Sequence, residues 1–125
     1  MQKKIIETTL APEAVGIYSQ GVEVNGTYYF SGQIGIDPDT SSLMCGFEEQ
    51  LDRILANIEG LLKSQDLTKD NIVKTTIFIT NLENFSLVNK AYESYFAAPY
   101  PARSCVEVSA LPKNALVEIE FIAVK

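Results

Sequence analysis

The chain has 125 residues, 46% of them hydrophobic and 21% charged, with a formal charge of −6 and no histidine. One domain of this size buries about two thirds of its unfolded surface without disulfides or metals, so a single domain over residues 1–125 is expected. The missing histidine excludes Ser-His-Asp and Cys-His nucleophile pairs and removes the commonest metal ligand, while the scattered Lys and Arg weigh against a nucleic-acid surface.

No apolar run reaches the length of a membrane span, and residues 1–10 lack the apolar core of a signal peptide. Cys45 and Cys105 form no CxxC pattern, which fits a reducing compartment, the cytoplasm by default. No cofactor or metal site is expected, which leaves carboxylates, hydroxyls, arginine, backbone groups and water to do any chemistry.

Residues 3–7 read as a short first strand. A loop with Pro12 follows, then Gly16-Ile17-Tyr18-Ser19-Gln20-Gly21, where two glycines bracket a tyrosine. Tyr18 is either presented to a pocket or is a half-buried packing residue. The segment Gly21 to Ser31 alternates around Asn25-Gly26, a strong hairpin signal, and its second strand runs into Ser31-Gly32-Gln33-Ile34-Gly35. Gly32 and Gly35 allow close backbone approach to a ligand or a neighbouring strand.

After the turn residues Asp37 to Ser42 the hydrophobic period changes from two to 3.6. Leu51, Ile54, Leu55, Ile58, Leu61 and Leu62 share one face of a helix expected over about residues 47–65, with Arg53 and Lys63 as solvated charges. Ile72 to Thr80 is a β-branched central strand. A second helix, capped by Asn81 or Asn84, carries the apolar stripe Phe85, Val88, Tyr92, Tyr95 and Phe96. Asn89 interrupts that stripe, so it either ties down a loop or points into a cavity.

Pro101-Ala102-Arg103-Ser104-Cys105-Val106-Glu107-Val108 is a strand opened by an arginine. Its planar fork suits a carboxylate, although an ordinary strand-end ion pair is the plainer reading. The last strand, Leu116 to Val124, puts Glu118 and Glu120 on one face and Val117, Ile119 and Phe121 on the other. The expected fold is α+β, a six-stranded mixed sheet with two helices on one face. Its other face then needs a cover from outside the chain, which points to a closed oligomer.

Several motifs together resemble the Rid family, the YjgF-like reactive intermediate deaminases. They are Gly16-x-Tyr18-Ser19-Gln20-Gly21, Ser31-Gly32-Gln33-Ile34, Asp70-x-Ile72-Val73-Lys74-Thr75-Thr76-Ile77-Phe78, Phe85-x-x-Val88-Asn89-x-x-Tyr92-x-x-Phe96, the Pro101 to Val108 strand, Leu111-Pro112-Lys113 and Val117-Glu118-Ile119-Glu120. The resemblance implies a homotrimer of chorismate-mutase-like subunits with its sites in clefts between neighbours. It also implies hydrolysis of small 2-imino acids, tautomers of enamines such as 2-aminoacrylate, to 2-oxo acids and ammonia without cofactor or metal.

Carried over by position, Arg103 matches the carboxylate clamp, Cys105 the position whose backbone holds substrate or water, and Glu118 the proton relay. Tyr18, Ser31, Gly32 and Asn89 match pocket-lining positions. The family commonly has proline where Ile17 stands, so the Tyr18 loop is expected to be less rigid or shaped for a bulkier side chain. Gly35 also sits where many relatives have proline, with glycine a familiar alternative. A non-catalytic binder of small 2-oxo carboxylates is the rival reading. A ribonuclease role, described for some relatives, is opposed by the acidic charge and absent histidines.

Overall fold

The computed structural model describes all of residues 1–125. Asn25 and Gly26 both lie in the left-handed region, at φ 50° and 84°, as the commonest two-residue hairpin turn requires. They join β2 (Gly21–Val24) to β3 (Thr27–Ile34), with Val24 opposite Thr27. The first strand, β1 (Lys4–Ile6), is shorter than its apolar pattern predicts and pairs antiparallel with β2.

The helical spacing is realised as α1 (Phe47–Ser64), which buries Leu51, Ile54, Ile58, Leu61 and Leu62. Arg53 is not a solvated charge: it is half-buried, and its Nε donates to Oδ1 of the fully buried Asn57 at 3.1 Å. The central strand is β4 (Ile72–Ile79). Asn81 caps a short 3₁₀ turn, accepting from Glu83 N at 3.0 Å, and Asn84 stands at the start of α2 (Phe85–Tyr95) without a side-chain bond. The remaining strands are β5 (Ala102–Glu107) and β6 (Val117–Val124).

The six strands form one sheet in the order β1-β2-β3-β6-β4-β5. β4 and β5 run parallel and every other pair is antiparallel, so the sheet is mixed. Alternation along each strand sends Tyr28, Phe30, Thr75, Ile77, Ile79, Val117, Ile119 and Phe121 to the face under the helices, all buried. Nothing in the chain covers the opposite face, where Tyr29 is 47% and Val106 43% exposed beside Thr76, Phe78, Ser104, Glu118 and Glu120. No helix is long and apolar enough to cross a membrane.

The close approach at Gly35 is to helix α1, not to a ligand or a strand. A Cβ there would stand 2.6 Å from Gln50 Cα and 2.7 Å from its carbonyl oxygen. Gln50 in turn ties α1 to the loops at either side: its Nε2 donates to Met44 O at 3.0 Å and its Oε1 accepts from Leu116 N at 2.8 Å. Gly35→Ala is therefore expected to cost about 1–3 kcal/mol, because backbone rather than a flexible tip must shift. A urea titration checks this: the midpoint falls while the slope stays constant.

Candidate functional site

Arg103 lies on the edge strand β5, in register with Thr75 of β4, and so stands on the helix-covered side. No ion pair forms at this strand end; the ion pair in the chain is Lys4 with Glu23 at 3.7 Å. Instead Arg103 Nη1 donates to Asn89 Oδ1 at 2.7 Å. The guanidinium carbon is 5.1 Å from the Phe85 ring centroid and 5.0 Å from that of Tyr92. This accounts for the polar gap in the α2 stripe, since Asn89 faces a cavity of about 410 Å³ shared with Arg103, Tyr92 and Tyr100.

Cys105 follows on the same face, opposite Ile77 and packed against the core. Burial pushes its thiol up and the Arg103 charge pulls it down by less. The thiol is thus neutral at neutral pH, which suits a role through backbone groups rather than as a nucleophile.

A second group forms on the uncovered face. Glu118 of β6 lies opposite Ile34 of β3 and Phe78 of β4. It reaches so close to Gly32 that a Cβ there would be 2.1 Å from its Oε2. Glycine at that position is what lets the carboxyl rest against the β3 backbone where the register shifts between Phe30 and Gln33.

Ser31 anchors the tyrosine loop to β3, its Oγ donating to Ser19 O at 2.6 Å and its N to Gln20 O at 2.9 Å. Gln20 is the residue that sequence reasoning missed. Its buried amide donates to Pro12 O at 2.7 Å and to Thr8 O at 3.0 Å and accepts from Thr8 N at 2.7 Å. The N-terminal loop is thereby held against β3, and Tyr18, 56% exposed, stands at its mouth. Ile17, at 107% exposure, packs on nothing in the chain. Tyr18, Ser31, Gly32 and Glu118 line one cavity of about 490 Å³, with Lys113 at its rim.

Burial raises the Glu118 carboxyl above the ordinary range, and the neighbouring Glu120 charge raises it further. Because the folded value lies above the unfolded one, the associated stability is complete below the unfolded value and is lost as pH rises through the folded one. Removing the Glu120 charge shrinks that loss. In urea titrations, Glu120→Gln is expected to gain stability over the parent at pH 7 and to match it at pH 3, where the raised Glu118 carboxyl is protonated and there is no charge for position 120 to repel.

The predicted site residues thus fall into two groups. Arg103, Cys105 and Asn89 gather at the β5 edge under α2, whereas Tyr18, Ser31, Gly32 and Glu118 gather on the open face, with β4 between β5 and β6. One chain does not bring the arginine and the glutamate together.

A family model described as Endoribonuclease L-PSP matches residues 8–125. The crystal structure of YyfA from Yersinia pestis, a protein of unknown function of the conserved Rid family, superposes with a TM-score of 0.96. It is 55% identical and the match covers 99% of this chain and 100% of that one. The chain belongs to the Rid/YjgF family. Among its Rid relatives, a RutC family protein of Aquifex aeolicus is 50% identical over 122 residues, 96% of this chain and 98% of that protein. The mouse 2-iminobutanoate/2-iminopropanoate deaminase is 43% identical over 124 residues, 98% of this chain and 92% of that protein. The motif resemblance therefore holds over essentially the whole Rid domain, and its fold agrees with that of the solved relative.

Proposed function

We propose that this Rid-family protein hydrolyses small 2-imino acids, tautomers of enamines such as 2-aminoacrylate, to 2-oxo acids and ammonia. The observation that carries the reading is Arg103, a guanidinium fixed by Asn89 and two rings that uses one of its five N–H donors within the chain. A cation so held suits the carboxylate common to every such substrate. The similarity to the mouse deaminase supports the same chemistry.

Substrate and water combine as R–C(=NH₂⁺)–COO⁻ plus H₂O. Water adds to C2 and gives up a proton, the nitrogen gains one, and the C–N bond breaks to leave R–CO–COO⁻ and ammonium. Glu118, whose carboxyl burial raises above the ordinary range so that it holds a proton more readily, carries the proton from the added hydroxyl to the nitrogen. Backbone groups at Cys105 hold the attacking water, and the Tyr18, Ser31 and Gly32 wall confines the imine. The reaction needs neither cofactor nor metal, because a protonated imine carbon is already electrophilic.

Arg103 and Glu118 act together only if they come from different copies, so the active form is a homotrimer whose open sheet faces meet and whose sites lie between neighbours. The uncovered sheet face and the two half-sites support this arrangement. Its two free cysteines suit a cytoplasmic setting. The test generates imines in situ with an amino-acid oxidase and measures ammonia or 2-oxo acid release above the spontaneous rate. No acceleration with the imines of alanine, leucine, methionine or phenylalanine, alongside retained binding of 2-oxobutanoate, would replace the hydrolase by a carboxylate binder.

A further inference from the structure

The polar break that Asn89 makes in the α2 stripe lies between two rings, and Phe85, Asn89 and Tyr92 together face the Arg103 cation. Positions 85 and 92 are about 10.5 Å apart along a helix axis, and the guanidinium carbon lies 5.1 and 5.0 Å from the two ring centroids. The cation therefore sits about half-way between the rings, at the level of Asn89, which accepts its Nη1 proton. Tyr92 is itself fixed at its far end, where its hydroxyl is bonded to that of buried Thr75. Thr75 is the β4 residue in register with Arg103. Ring, cation and strand thus close a circuit of contacts through α2, β4 and β5.

An acidic partner in place of the rings would occupy the fork and neutralise it. Aromatic faces instead attract the positive charge through their quadrupoles and use none of its N–H donors. Glu93 lines the same cavity and forms no ion pair with Arg103. The arrangement restrains an arginine while leaving its fork available, which is what a preorganised anion site requires.

We infer that Phe85 and Tyr92 are positioning residues that orient Arg103 and thereby set substrate affinity, an inference that rests on the carboxylate-binding role proposed for Arg103. The experiment measures calorimetric binding of 2-oxobutanoate together with KM and kcat for an oxidase-generated imine, each variant being checked for folding by thermal unfolding. Phe85→Leu is expected to weaken binding roughly five- to tenfold and to appear in KM rather than kcat, and Phe85→Tyr, which restores a ring, to recover most of the loss.

A double-mutant cycle separates positioning from packing. Phe85→Leu should have no further effect on binding once Arg103 is alanine. The inference is overturned if a folded Phe85→Leu protein binds as the parent does, or if the substitution weakens binding equally with Arg103 absent. If Arg103→Ala alone leaves 2-oxobutanoate binding unchanged, the carboxylate role of Arg103 fails first, and the positioning role with it.

Discussion

Arg103→Ala is expected to lower kcat/KM for every 2-imino acid by a factor on the order of a hundred or more, with the fold retained. The carboxylate loses a charged, bidentate partner, and with it the orientation that aims C2 at the attacking water. Structural losses are small by comparison, since the side chain makes one hydrogen bond, to a solvent-exposed amide, and no ion pair. Arg103→Lys should fall between the two, because it keeps the charge and loses the fork. Ammonia release and thermal unfolding measured on the same preparations check both halves of the expectation. A folded Arg103→Ala protein with parental rates would remove the clamp from the mechanism.

A mixture of two dead proteins is expected to regain activity. Glu118→Gln keeps the shape that lies against Gly32 but cannot carry a proton, so on its own it should bind 2-oxobutanoate and turn over almost nothing. Arg103→Ala should bind it only weakly and also turn over almost nothing. If each site draws its arginine from one copy and its glutamate from the next, random trimers from an equal mixture hold both intact groups at about a quarter of their sites. Unfolding the two variants together and refolding them should then restore about a quarter of the parental rate. If one chain supplied both groups to its own site, every site would carry a defect and nothing would return.

The expectation rests on an arrangement that strand order alone produces. β4 separates β5 from β6, and alternation then sends Arg103 under the helices and Glu118 to the bare face. A side chain on one face of a sheet cannot reach through the hydrogen-bonded strands to the other.

Much of this was legible in the residues themselves. The period-3.6 pattern predicts a helix over about residues 47–65 and the structure has Phe47–Ser64; Asn25-Gly26 predicts the hairpin and its left-handed turn. The candidate side chains were named from the sequence as well, and Asn89, marked there as a polar break needing a partner, has one in Arg103. What the partner was could not be seen, because Arg103 is fourteen positions further along the chain. The same holds for Gly35, whose neighbour is a helix backbone, and for Gln20, an amide whose bonds to Thr8 and Pro12 reach eight to twelve residues back.

The chain's pattern by itself determines the elements and the six-strand and two-helix count, because periodicity and turn preferences act over a few residues, and its resemblance to the Rid motifs names the candidate residues. Tertiary structure alone decides which of those residues can meet. That outcome depends on which strands become neighbours, a choice made by burying helix and sheet faces against each other across the whole domain. It splits the candidate residues into two half-sites on opposite faces of one sheet.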